Sequence, residues 1–248
     1  GVLNASAPAT FDVYVDGSIV PYHQASKAVV SVMNGYLHDN LPGNVRVERH
    51  VVGEERALSE YLLPTFLLLV LMLLALAYVP HALATEEPVF ERLRLETSLY
   101  AVVGAKLVFF TGVAVLPIAV FQAASAYFGY DVAVAAPGAV AAALLTFVAT
   151  CAVGMAVTLA TRFRTWGRLV NVLVFFALAG FSGLFYPAGF FSAHRREFVR
   201  LVPTHYAVVT IRGVALRGTD AAFYADWLVG LAAVAALSLG ALALSVRY

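Results

Sequence analysis

Two long stretches without Asp, Glu, Lys or Arg constrain this chain more than anything else in it: Tyr61 to Ala84 and Leu107 to Tyr130. Each exceeds the roughly 20 apolar residues that an α-helix needs to cross a bilayer. Backbone at that depth has no water to bond, so it must satisfy its own N–H and C=O groups. The fold class is an all-α polytopic membrane protein. Composition agrees: 61% of residues are hydrophobic and 12% charged, against about 45–50% and about 25% in soluble domains. A net charge of +1 says nothing about partners, and nucleic acid is not expected among them. The single cysteine, Cys151, lies in an apolar run and has no internal disulfide partner.

Five transmembrane helices are predicted, at about 61–83, 106–128, 138–161, 169–187 and 227–246. Pro64 suits the first turn of the first, and Pro117 should kink the second. Gly154 and the many alanines of the third allow close helix approach. Leu201 to Ile211 is too short to cross, and with Phe185 to Phe191 it reads as a re-entrant or interfacial outer hairpin. Residues 1–58 are polar and mixed. FDVYVDGSIV alternates like a strand and contains Asp-Gly turn chemistry, PYHQASKAVVSVMNGYLHDN keeps helical spacing, and NVRVERHVV alternates again. This is a small α/β extracytoplasmic segment, partial in extent, and 59–248 form the transmembrane domain. His23, His38 and His50 lack metal-ligand spacing.

Short loops set orientation. Arg92, Arg94 and Lys106, then Arg162, Arg164 and Arg168, then Arg247 fall on one face, which is assigned to the cytoplasm. The opposite 129–138 loop has no Lys or Arg. Arg195, Arg196, Arg200, Arg212 and Arg217 in the outer 188–225 segment oppose this count, and the tight loops are given more weight. A multi-pass protein of the cell membrane results, with its N-terminal segment outside and its C-terminus cytoplasmic.

The charged stretch between the first two spans, TEEPVFERLRLETSLYAVVGAK from Thr85 to Lys106, then sits at the cytoplasmic face. Thr85 can cap a helix opened by Glu86, Glu87 and Pro88. Val89, Phe90, Leu93 and Tyr100 fall on one side, with Glu91, Arg92 and Arg94 elsewhere. A break near Glu96-Thr97-Ser98 lets Thr97 or Ser98 cap the next helix. Such a stretch is either a solvated membrane-surface helix or a docking helix for a cytoplasmic partner.

The segment resembles the cytoplasmic loop of ABC-2 type transporter permeases, with Glu86, Glu91, Leu93, Ser98 and Lys106 at matching positions. It departs where Pro88-Val89 replaces the family's usual Gly-Thr, and where Ala105 separates Gly104 from Lys106. Later, Ser182, Gly183, Phe185 and Pro187 are similar to the family's Ser-Gly-aromatic-Pro signature. Leu201, Pro203, Thr204 and Tyr206 are similar to its Leu-x-Pro-Thr-x-Tyr hairpin. The resemblance runs from about residue 55 to 248. Because the family has six spans with an outer domain after the first, it places one span upstream of Gly1.

The resemblance implies a permease subunit of an ATP-binding cassette transporter, exporting a drug, lipid, polysaccharide or peptide. Its partners would be a cytoplasmic ABC ATPase, a second permease copy or homologue, and membrane lipid. The sequence contains no GxxxxGK[ST], so no cofactor is expected in this chain and ATP and magnesium would sit on the ATPase. Coupling falls to Glu86, Glu87, Phe90, Glu91, Arg92 and Leu93. Gln122, Asn171 and Ser182 serve the pathway or helix packing, and Pro187, Pro203, Thr204 and Tyr206 build the outer hairpin. Gly180 and Gly183, beside Ser182, should permit close helix contact.

Two other classes compete. Gly180-Phe181-Ser182-Gly183 matches the GxSG of rhomboid-like intramembrane serine proteases. That chemistry needs a histidine on a neighbouring helix, and Trp227 to Val246 has none. A membrane channel or structural subunit without an ATPase is the other.

Overall fold

The computed structural model describes residues 9–40, 45–88, 98–185 and 187–246. The chain forms two compact units that divide between Tyr61 and Leu62.

In the first unit, β1 (Ala9–Asp16) and β2 (Val45–Val52) pair in parallel, with Ala9 opposite Val45 and Asp16 opposite Val52. Parallel strands need a crossover, which α1 (Val20–Asn40) supplies. The turn out of β1 is an Asx turn: Ser18 N–H and Oγ both bond Asp16 Oδ1, at 2.9 and 2.6 Å. The Asn34 amide on α1 meets both backbone groups of Val47, at 2.7 and 3.0 Å. It closes the free edge of β2 as a further strand would. Alternation does the rest: Val15 and Val47 are buried, while Asp12, Tyr14, Glu48 and His50 face outward.

The second unit is helical. α2 (Leu58–Thr85) starts three residues earlier than its apolar run because Glu60 Oε2 accepts from the Ala57 N–H at 3.1 Å, half of a capping box. Pro64 therefore lies inside the helix rather than in its first turn. Further along, Leu74–Tyr78 widen into a π turn, with the Val79 N–H bonded to Leu74 O. Pro80 explains it. Proline has no N–H, and its ring would strike the carbonyl four residues back, here that of Leu76.

α3 (Leu99–Tyr127) breaks at Ala114. The kink expected at Pro117 appears three residues earlier, since the proline strands the Val113 carbonyl. α4 (Pro137–Ala160) follows, with proline at its first turn. α5 (Thr165–Phe181) has 17 residues. It begins before residue 169 and stops short of 187, because Gly183 turns the chain at φ 79, the left-handed conformation that ends helices. The stretch read as an outer hairpin contains two helices, α6 (Ala193–Leu201) and α7 (Pro203–Arg217). α8 (Ala221–Ser245) closes the unit.

Among the described residues four helices, α2, α3, α4 and α8, are long and apolar enough to cross a membrane, and α5, at the place of the fourth of the five expected spans, is a shorter apolar helix. α4 is the hub: 61% of its apolar window is buried, against 17% for α3 and 22% for α8. Its sequence accounts for this. Ala142, Cys151 and Ala152 are fully buried, and a Cβ added to Gly138 would lie 2.5 Å from that of Ala221. Small residues let backbones approach where lipid gives no hydrophobic drive.

Candidate functional site

The candidate coupling segment is anchored at both ends. α2 ends at Thr85, whose hydroxyl donates to Ala82 O at 2.9 Å. Thr85 thus bonds back into its own helix and does not cap the next one as expected. Glu86 follows with φ −97 and ψ 6, and its carboxylate receives Lys106 Nζ at 2.7 Å. Lys106 lies about two turns inside α3, so the pair straps α2 to α3 across the intervening chain. The lysine side chain is 16% exposed and the glutamate 45%, an environment in which such pairs contribute about 1 kcal/mol or less. Its value is positional. Glu87 and Pro88 are helical and exposed. Ser98 starts α3 in extended conformation, its carbonyl accepting from Ala101 and Val102 N–H at 2.9 and 3.3 Å. Its hydroxyl makes no cap bond. Phe90, Glu91, Arg92 and Leu93 lie outside the described residues, as does Arg247.

A second feature shares this end of the helices. The turn from α4 to α5 holds Arg162 and Phe163 at φ 50 and 59. Two consecutive left-handed residues cost about 1–2 kcal/mol each. They are held by Phe163 N–H on Thr158 O at 2.9 Å and Arg162 N–H on Leu159 O at 2.9 Å. Gly167 is required as well, because a Cβ there would lie 2.1 Å from Thr161 Oγ1. The reward is display: Arg162, Arg164 and Arg168 are all exposed.

Deeper in, Asn171 is 1% exposed. Its amide donates to Gly154 O at 3.1 Å and Thr158 Oγ1 at 3.3 Å, tying α5 to α4, while its Oδ1 has no partner among the described residues. Gly154 is where α4 crosses the π turn of α2: an added Cβ would sit 2.9 Å from both Ala75 O and Pro80 Cγ. Pro80, the π turn, Gly154 and Asn171 therefore form one node across three helices. Gln122 lies elsewhere, its Oε1 accepting from the Ala135 N–H at 3.0 Å in the connection from α3 to α4.

At the hairpin end, Ser182 is fully buried and its hydroxyl donates to Ala179 O at 3.3 Å. A Cβ added at Gly180 would meet nothing within 4 Å among the described residues, and Gly183 serves the turn. His205 does approach Ser182, with Nδ1 3.1 Å from the backbone carbonyl. A carbonyl only accepts, so Nδ1 carries the proton. A protease dyad needs the imidazole on the serine hydroxyl, and the serine hydroxyl is bonded to Ala179 instead. Pro203 opens α7, Thr204 is buried with its hydroxyl unpartnered among the described residues, and Tyr206 donates to Arg200 O at 2.8 Å. Pro187 stands ahead of the short 188–190 turn.

The residues that sequence reasoning passed over are the Glu86–Lys106 strap and Arg212. Arg212 reaches Thr65 Oγ1 at 2.7 Å, Gly183 O at 3.1 Å and Leu184 O. One planar fork clamps α2, α7 and the turn after α5. The available signal was a lone basic residue inside an apolar helical run, true of both Lys106 and Arg212.

A family model described as ABC-2 type transporter matches residues 21–216. No curated protein and no solved structure matches the chain. The family match starts within α1 and runs through the apolar helices to the end of α7, and so the chain belongs to the ABC-2 type transporter family, as a multi-pass permease component of an ABC transporter.

Proposed function

We propose that this permease is the membrane half of an ATP-driven exporter, and that a separate cytoplasmic ATPase docks on the segment from Glu86 to Ser98. The observation that carries the reading is the Glu86–Lys106 ion pair. A transmission element must move with the spans it drives, and the strap makes the two ends of this segment one body. Phe90 and Leu93 are the apolar anchors that seat in a groove of the ATPase. Glu87, Glu91 and Arg92 set register and on-rate, and Glu86 orients the segment through Lys106. ATP and magnesium bind the ATPase.

The strapped segment and the Arg162–Arg164 turn face the cytoplasm, and the hairpin faces outward. Arg212, which counted against this orientation, is engaged with carbonyls inside the helical unit. The substrate is a drug, lipid, polysaccharide or peptide, and its route lies between two copies of the permease or a copy and a homologue.

The test is co-purification of the ATPase together with substrate-stimulated hydrolysis in liposomes. Charge reversal at Glu87 and Glu91 weakens association. The Phe90→Ala, Leu93→Ala double variant weakens it more, by about 1–3 kcal/mol if both are hot spots. Wild-type association and stimulation in that double variant would show the docking assignment to be wrong.

A further inference from the structure

Two cavities adjoin where α7 meets α8, and the coupling reading uses neither. The first, of about 260 Å³, has Tyr206, Asp226 and Trp227 in its wall. The second, of about 200 Å³, extends between α2, α4, α5, α7 and α8. Pro203, Leu231 and Val234 line both, so the second begins where the first ends. Together they fall within the roughly 300–1,000 Å³ of small-ligand sites.

Their chemistry differs sharply. In the first, the Tyr206 and Trp227 rings meet edge-on with centroids 5.4 Å apart. Both rings are fixed, Tyr206 by its bond to Arg200 O and Trp227 by Tyr224 at 5.6 Å. Aromatic faces attract cations, and the Asp226 carboxylate adds a full negative charge. In the second, the Thr146 and Thr150 hydroxyls bond back to Ala142 O and Thr146 O at 2.7 Å and so turn away from any guest. Leu178, Leu231 and Val234 complete an apolar wall. Tyr206, Tyr224 and Trp227 stand at the end of the apolar α8, the level at which aromatic residues mark a membrane–water interface and at which an amphiphile places its head.

We propose that the paired cavities bind a single-chain cationic amphiphile, with its ammonium head between Asp226 and the Tyr206 and Trp227 rings and its tail in the adjoining apolar cavity. The head end of the site is built from α7 and α8 with Leu201 of α6, and binding there requires no ATPase, so its failure would leave the transporter reading untouched.

The chain has two tryptophans, Trp166 and Trp227, and a Trp166→Phe variant leaves Trp227 as the sole reporter. The experiment is quenching of Trp227 in nanodiscs by dodecyltrimethylammonium carrying bromine on its chain. Saturable quenching is expected. Asp226→Asn should lower the apparent affinity about three- to fivefold, whereas Asp226→Glu, which keeps the charge, should hold it within about twofold. Val174→Phe, at a position in the wall of the second cavity alone, should weaken the long-chain amphiphile yet leave tetramethylammonium competition unchanged. Asp226 also sits in the first helical turn, where an acid offsets the helix dipole; that role would lower stability without changing head-group selectivity. Equal saturable quenching by brominated dodecyl sulfate, unchanged affinity in Asp226→Asn, or linear quenching that reports only partition into lipid would each overturn the proposal.

Discussion

Gly154→Ala offers the most quantitative test of how the helices are held. The added methyl group would lie 2.9 Å from Ala75 O and 2.9 Å from Pro80 Cγ. Neither neighbour is the loose end of a flexible side chain. One is backbone of the π turn and the other a proline ring, so α4 and α2 must separate by several tenths of an ångström. Overpacking of this kind costs about 1–3 kcal/mol. The separation also stretches the Asn171–Gly154 bond, 3.1 Å in the native chain, and interhelical bonds of this class are worth about 0.6 kcal/mol in membranes. Against these stands the helix-propensity gain of alanine over glycine, about 1 kcal/mol. The net expectation is a loss of about 0.5–2.5 kcal/mol. Gly240→Ala is the control, because its Cβ position meets nothing within 4 Å; only the propensity gain remains, and that variant should be as stable as the wild type or more so. Reversible unfolding in mixed micelles reads both. The reasoning is refuted if Gly154→Ala is as stable as Gly240→Ala.

The remaining predictions concern charge and sidedness. Lys106→Gln should cost about 1 kcal/mol or less in stability yet impair ATPase stimulation, and the exchange Glu86→Lys with Lys106→Glu should restore it, as a double-variant cycle of liposome hydrolysis would show. Arg212→Lys keeps the charge but loses the fork, so thermal unfolding should reveal a loss of about 1–3 kcal/mol. A Thr165→Cys variant should be labelled from the cytoplasmic side only; labelling from outside intact cells would reverse the assigned orientation.

The spans were legible because their cause is local. Runs free of charge, Pro117 as a kink and the strand–helix–strand alternation of residues 9–52 need only nearest neighbours to be read. What the sequence hid depended either on the cap geometry at helix ends or on distance along the chain. Pro64 looked like a first-turn residue until Glu60, by capping Ala57, moved the helix start. α5 looked longer because Gly183 is read as a small residue until its φ of 79 is known. Thr85 has the chemistry of a cap, and only the helix end at that residue shows its hydroxyl turned back to Ala82. Asn171 was visible as an intramembrane polar group, but the Gly154 carbonyl it serves is 17 residues away. The Glu86–Lys106 strap and the Arg212 clamp join residues 20 and 147 positions apart, beyond any local pattern.

The central claim, that the segment after Glu86 seats the ATPase, is tested most directly by cross-linking from within it. A photoreactive phenylalanine analogue at position 90, in permease reconstituted with its ATPase, should yield a permease–ATPase adduct whose amount changes on adding ATP. The same group at Phe190, at the hairpin end, should give none. An ATPase that co-purifies with the position-90 protein but is never captured by it would contradict the claim.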